Sequence, residues 1–189
     1  VTTVGSTRPG DTDHAADTDG RPGIAEVRLV DGEIRARGPQ MLVGYLHPED
    51  DADASDDDGY FRTGDLGSWV DDDYLVVTGR AKDIIIRNGE NISPKEIEDL
   101  LVTEPGITEV AVVGLPDART GERACAVIVP GAGPTPGVDD LRRVLAGHGV
   151  ARFKVPERVE IWDALPKNDA GKVLKHRIRA ILMEEPKCK

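Results

Sequence analysis

Positive charge is in short supply in this 189-residue chain: 24 Lys and Arg stand against 35 Asp and Glu, a net charge of −11. That balance argues against general affinity for nucleic acid or for an anionic membrane surface. Long apolar runs are missing too; none approaches the length of a membrane span, and no signal peptide opens the sequence. Cysteine is rare. Cys125 lies in an apolar alternation and Cys188 is next to last, a placement that fits reduced thiols and a cytoplasmic protein better than a disulfide frame. The four histidines, His14, His47, His148 and His176, have no metal-ligand spacing, so no protein-bound structural metal is expected. Aromatic residues make up only 4%, and a core has to come from a hydrophobic fraction of 39%, low but adequate. The length allows one domain, or a small domain with part of another.

What is present changes texture near residue 80. Residues 1–22 are polar and aperiodic and read as a mobile start or a loop that has lost its neighbours. Residues 24–30 and 33–37 alternate about Asp31-Gly32, a hairpin signal. Residues 41–46 continue as a strand or a turn. Residues 49–58 are nearly all acidic or small and read as a solvated loop, without the Gly and terminal Glu of a calcium-binding helix-loop-helix. Strands at 66–70 and 74–78 flank Asp71-Asp72-Asp73 and complete a small antiparallel β unit. Beyond it, helices are expected at 94–104, 138–145 and 173–182, with strands at 109–113, 123–129 and 158–162 and a Pro/Gly linker at 130–137. The fold class is therefore α+β: a small antiparallel β subdomain, residues 1–78, then a compact domain, residues 79–189, with a few-stranded sheet covered by helices in three layers.

Three clusters have the residue types of a reactive site. In Gly59-Tyr60-Phe61-Arg62-Thr63-Gly64-Asp65-Leu66-Gly67, an Asp between glycines near a strand start can accept hydrogen bonds from two adjacent sugar hydroxyls; alone, it is an ordinary turn Asp. The second runs Gly79-Arg80-Ala81-Lys82-Asp83-Ile84-Ile85-Ile86-Arg87-Asn88-Gly89-Glu90-Asn91-Ile92-Ser93. It has a Gly-Arg turn, a buried β-branched strand at Ile84, Ile85 and Ile86, and an Asn-Gly turn. Ser93-Pro94-Lys95-Glu96 then reads as a capping box opening a helix. By itself this is a solvated hairpin before a helix. The third is Leu165-Pro166-Lys167-Asn168-Asp169-Ala170-Gly171-Lys172-Val173-Leu174-Lys175, where Lys172 sits on a turn from which a cation can reach an anionic reacting group.

Taken together, in this order, the clusters resemble the C-terminal part of the adenylate-forming superfamily: acyl-CoA synthetases, peptide-synthetase adenylation domains and luciferases. The likeness runs from about residue 23 to the end. It implies ribose contacts of ATP and AMP for Asp65, a nucleotide contact for Arg80, and a hinge at Lys82. It implies for Lys172 a contact to the carboxylate and α-phosphate during adenylation. It implies that Gly89, Glu90 and Asn91 belong to the face that swings in for thioester formation. Arg87, Arg152 and Lys154 are candidates for CoA phosphates on charge alone. ATP, Mg²⁺, a carboxylic acid and CoA would be the substrates of the full-length enzyme, with no tightly bound cofactor here.

The family's phosphate loop, its adenine- and Mg²⁺-holding segment and its acyl pocket are absent. The expectation is a C-terminal fragment of a carboxylic acid–CoA ligase whose N-terminal domain is missing and which alone does not adenylate. Asn88-Gly89-Glu90-Asn91-Ile92 and the lack of a carrier domain after Lys189 favour CoA as acceptor. The alternatives are an adenylation domain that loads a carrier protein, and a non-catalytic binding module. In the latter case apolar surface on the β subdomain would favour association with a partner or with itself.

Overall fold

The chain divides into two units, Val1–Lys82 and Asp83–Lys189, within which the computed structural model describes residues 5–7, 10–51 and 53–184. In the first unit, β1 (Gly5–Ser6) and β2 (Arg21–Pro22) pair antiparallel. The hairpin forms as β3 (Glu26–Val30) and β4 (Glu33–Arg37), and both turn residues are left-handed, Asp31 at φ 52° and Gly32 at φ 81°. That geometry matches the twist of the strands it joins. β5 (Phe61–Val70) and β6 (Tyr74–Arg80) extend the sheet in the order β3-β4-β5-β6.

Four expectations for this unit need correction. β5 and β6 reach further than expected, so Gly64-Asp65 and Gly79-Arg80 are strand residues and not turns. Left-handed Gly64 (φ 69°) and a register shift between Leu66 and Gly67 let β5 kink without ending. Residues 10–22 are not loose: the Asp19 N–H donates to Leu75 O (2.8 Å) and the Leu75 N–H to Gly20 O (2.9 Å). The part of that start at residues 1–4, 8 and 9 lies outside the described residues. Residues 41–46 form no strand, and Val43 and Leu46 are exposed. The acidic loop is pinned at Asp56, whose carboxylate accepts from Arg28 Nη2 (2.8 Å), Arg35 Nη1 (2.9 Å) and the Tyr60 N–H (3.0 Å).

In the second unit, β7 (Ile85–Arg87) and β8 (Glu90–Ile92) form a hairpin with Asn88 at φ 51° and Gly89 at φ 81°. Then come α1 (Pro94–Leu101), β9 (Ile107–Asp117), β10 (Gly121–Pro130), α2 (Val138–Gly147), β11 (Arg158–Ile161) and α3 (Lys175–Glu184). β10 is the centre. It pairs antiparallel with β9 along its whole length, parallel with β11 from Cys125 to Ile128, and with β7 at Gly121.

Strict alternation sorts the two long strands into two faces. Val112, Ala124, Ala126 and Ile128 pack with Ile97 and Leu101 of α1 and with Leu141 and Leu145 of α2. Ala111, Val113, Leu115, Cys125 and Val127 pack with Ile178 and Leu182 of α3. The result is helix, sheet, helix. Each large aliphatic side chain so buried contributes about 1.5–3 kcal/mol.

Here too the structure departs from expectation. Of the three isoleucines, Ile85 is buried and Ile86 is exposed, because that strand is covered on one side only. α1 stops at Leu101, before a turn in which the Glu104 N–H donates to Leu101 O. Ser93 is the N-cap residue and Pro94 follows it, yet no side-chain capping bond forms, and Glu96 turns instead to Lys154 Nζ at 2.7 and 2.8 Å. α3 begins at Lys175 because Val173 is held in a bridge to Lys167.

Candidate active site

Asp65 and Arg80 were expected as two separate nucleotide contacts. They are register partners across β5 and β6, and form an ion pair with Arg80 Nε 2.7 Å from Asp65 Oδ1. The surrounding bonds fix the strand at this point. Thr63 Oγ1 donates to Ile34 O (2.6 Å) and accepts the Asp65 N–H (3.1 Å), while the Gly64 N–H donates to Glu33 Oε1 (3.2 Å). Both side chains stay about one-third exposed. Each side chain therefore keeps surface at which a ligand with hydroxyl or anionic groups could be met. Lys82, exposed, is the last residue of the first unit and lies in the 3-10 turn Ala81–Asp83.

Lys172 occupies a tight loop closed by backbone and side-chain bonds. The Asn168 N–H donates to Lys172 O (3.0 Å), Asn168 Oδ1 accepts the Lys172 N–H (2.8 Å), and the Leu174 N–H donates to Pro166 O (2.8 Å). Gly171 takes φ 78°, which a side chain would resist. The two other lysines of the motif are neutralised, Lys167 by Glu109 and Lys175 by Glu98, each at 2.7 Å. Among the described residues the Lys172 ammonium makes no ion pair and is exposed.

Gly89, Glu90 and Asn91 lie in the β7–β8 hairpin and are all exposed. A Cβ on Gly89 would meet nothing within 4 Å, so the glycine is required by its φ of 81° and leaves open space in front of it. The hairpin is tied to the β9–β10 turn: the Asn88 N–H donates to Thr120 O (2.8 Å), and Arg87 pairs with Gly121 in register. Asp117 caps that turn by accepting from the Arg119 and Thr120 N–H groups, bonds that hold its carboxyl below the usual carboxylate range.

Beside the hairpin is an open cleft of about 490 Å³ lined by Arg87, Arg142, Arg152, Phe153, Val155 and Glu157. Arg87 is held by Glu157 (2.8 Å), which raises its guanidinium further above the ordinary value, so it is charged at any ordinary pH. Arg152 is exposed. Lys154, grouped with these by charge, is taken up by Glu96 and does not line the cleft. Sequence reasoning missed Arg142, which reaches the cleft from α2; on a helix with a polar face, nothing local distinguishes it.

The Lys172 loop and the Gly89 turn are fastened at different points on β9. The first is tied at Glu109 and, through Glu98, at Val112; the second lies at the Asp117–Gly121 end. From Asp117 back to the two ties is five residues of strand at Val112 and eight at Glu109, roughly 16 and 26 Å. No group of three or more His, Cys, Asp or Glu among the described residues could hold a metal ion. No described helix is long and apolar enough to cross a membrane.

Residues 96–172 match the AMP-binding enzyme C-terminal domain. The pyochelin synthase PchD of Pseudomonas aeruginosa is 42% identical over 179 residues, which is 94% of this chain and 32% of that protein. The indoleacetate–CoA ligase of Aromatoleum aromaticum is 44% identical over 151 residues, 80% of this chain and 29% of that protein. The crystal structure of ATP-bound MatB from Rhodopseudomonas palustris superposes with a TM-score of 0.83 at 34% identity, covering 94% of this chain and 38% of that one. The chain spans about a third of the length of the curated relatives it matches. With its two-faced helix–sheet–helix unit and these relatives, the chain belongs to the adenylate-forming enzymes as their C-terminal part.

Proposed function

We propose that this chain is the C-terminal part of an ATP-dependent carboxylic acid–CoA ligase. In the first step the carboxylate attacks the α-phosphorus of ATP and pyrophosphate leaves, giving the acyl-adenylate. In the second a thiol attacks the acyl carbon and AMP leaves. The observation that carries this reading is the separation, on one unit, of a lysine with no ion pair among the described residues from a glycine turn flanked by an arginine-lined cleft. One end suits charge building on phosphoryl oxygens, where a positioned ammonium lowers the barrier. The other suits a slender arm that must pass a turn without side-chain obstruction, with Arg87 and Arg152 as candidates for its phosphates. A unit that serves the two steps with opposite ends has to turn between them, and Lys82, at the division of the chain, is the proposed pivot.

Asp65 and Arg80 would hold the nucleotide, the carboxylate accepting from ribose hydroxyls while the guanidinium orients it. Mg²⁺ would arrive with ATP and be held outside this chain. As the end of a large domain followed by a small one, the isolated polypeptide lacks a place for the acyl group and adenylates nothing. Pyrophosphate release from the isolated chain should be absent; robust turnover would overturn the reading. In the full-length enzyme, Lys172→Ala should abolish pyrophosphate release yet leave transfer from a preformed acyl-adenylate, and Gly89→Trp should do the reverse.

A second reading is favoured by the 42% identity to a protein named as a synthase. In it the thiol belongs to a pantetheinylated carrier protein. A thioester assay of the full-length enzyme, CoA against carrier, decides between the two. CoA turnover, with loss on Arg152→Glu, supports the first, and turnover with carrier alone supports the second.

A further inference from the structure

The Lys172 loop is fastened at both ends, and the fastening comes from acidic residues on or against β9. At its start, Lys167 Nζ lies 2.7 Å from Oε2 of Glu109, on β9 itself. Just past its end, Lys175 Nζ, on the first residue of α3, lies 2.7 Å from Oε1 of Glu98 on α1. The same Glu98 oxygen accepts the Val112 N–H of β9 at 2.6 Å. One carboxylate thereby ties a helix, a strand and the end of the loop together. The Glu98–Lys175 pair is the more enclosed, at 19% and 17% side-chain exposure against 33% and 38% for Glu109–Lys167, so it is the less screened of the two. Between the fasteners, the Asn168 side chain accepts the Lys172 N–H at 2.8 Å.

Charge follows the same plan. Segment 167–175 carries three lysines, and an anionic reactant would otherwise find three competing cations. Two are neutralised, and the one left available is Lys172. We propose that Glu98 and Glu109 are positioning residues for Lys172: they fix the loop that aims it and silence the lysines on either side. The proposal rests on the reading of Lys172 given above, and the experiment separates the two.

Glu98→Gln is the informative substitution. The amide keeps an oxygen for the Val112 N–H, so β9 and α1 stay joined, but the charge that holds Lys175 is gone. In the full-length ligase the two half-reactions are measured separately, as carboxylate-dependent ATP–pyrophosphate exchange and as thiol transfer from a preformed acyl-adenylate. Glu98→Gln should slow the first about 10- to 100-fold, the scale of a small misplacement at a reacting centre, and leave the second unchanged within about twofold. Glu109→Gln should act in the same direction but less, its pair being more exposed. Asp99→Asn, which breaks the exposed Lys95–Asp99 pair on the same helix, should change neither.

The 189-residue chain supplies a readout that needs no activity. Acetic anhydride should label Lys172 faster than Lys175. In Glu98→Gln, Lys175 should become as reactive as Lys172, and hydrogen exchange at the Lys172 amide should accelerate. A loss confined to the first half-reaction, with faster exchange at Lys172, supports the proposal. Equal losses in both half-reactions, or exchange at Lys172 unmoved by Glu98→Gln, overturn it. If Lys172→Ala leaves pyrophosphate exchange intact, the reading of Lys172 itself falls, whatever the labelling shows of the glutamates.

Discussion

The two units are held together by different forces. The second buries aliphatic side chains on both faces of β9 and β10, many with no exposure at all, under three helices. The first buries few: Ala25, Ile34, Ala36, Tyr74 and Leu75. In place of a large core it has a web of ion pairs over its sheet. Arg28 and Arg35 converge on Asp56, and Arg28 and Arg37 stack on the Tyr60 ring at 4.0 and 4.5 Å. Burial of apolar surface has no charge to screen and no group to titrate, whereas charged networks respond to both ionic strength and pH. The two units should therefore fail under different conditions. Each contains one tryptophan, Trp69 in the first and Trp162 in the second, so Trp69→Phe and Trp162→Phe give a separate fluorescence signal for each.

The largest effect should come from the second unit's core. Ile97 on α1 has no exposed surface, and Ile97→Ala leaves a cavity that costs about 2–5 kcal/mol. The Trp162 transition in urea should move to lower denaturant while the Trp69 transition stays in place. A joint shift of both signals would mean that the units unfold as one. Next is Gly67→Ala in the first unit. An added Cβ would lie 2.8 Å from Val76 O and 2.8 Å from Ile34 Cδ1, and the former is backbone that cannot step aside. A cost of about 1–3 kcal/mol is expected, this time at Trp69.

What the residues revealed in advance, and what they concealed, divides along the same line. Local signals were legible. Asp31-Gly32 and Asn88-Gly89 sit at the two hairpins because a left-handed turn demands them, and the alternation through Ala124, Ala126 and Ile128 marked a buried strand face. The strand lengths were not. Gly64 and Gly79 look like breaks, and only neighbours on both sides, β4 and β6 for β5, supply the hydrogen bonds that carry the strand through. Long-range pairing was hidden as well. Asp65 and Arg80 were each picked out, but their 2.7 Å partnership depends on a register that neither segment encodes alone. Likewise Glu96 fits a capping box by its spacing, and is claimed instead by Lys154, 58 residues away. Of the Lys172 site, the turn was readable and the glutamates that fasten it were not.

Acid separates the units further. Asp56 has its carboxyl held far below the usual range, first by the hydrogen bond from Arg28, and Glu26 is lowered by Arg37 and Tyr60. A carboxyl whose folded value lies below its unfolded one adds stability above the unfolded value. That stability drains away as pH falls from about 3.8, the ordinary value for Asp, toward the depressed folded one. The lowered carboxyls named here are two in the first unit, Asp56 and Glu26, against Asp117 in the second. Below about pH 4 the Trp69 transition should therefore weaken more steeply than the Trp162 transition. Asp56→Asn should flatten that difference. Equal acid slopes for the two tryptophans in the parent chain would remove the contrast drawn between the units.

The smallest effect tests whether surface charge as such matters in the second unit. Lys95 and Asp99 form an i, i+4 pair on α1 at 2.5 Å, with 43% and 59% of the side chains exposed. In high dielectric such a pair gains little Coulomb energy and has to hold two side chains in one geometry, for a net of about 0.3–0.5 kcal/mol. Lys95→Ala also brings the best helix former to the position, which offsets part of that loss. The Trp162 midpoint in urea should scarcely move, and added salt should change it equally in the parent and the variant. A loss approaching that of Ile97→Ala would mean that α1 is held by its charges and not by Ile97 and Leu101, and the division between an apolar unit and a charged one would have to be redrawn.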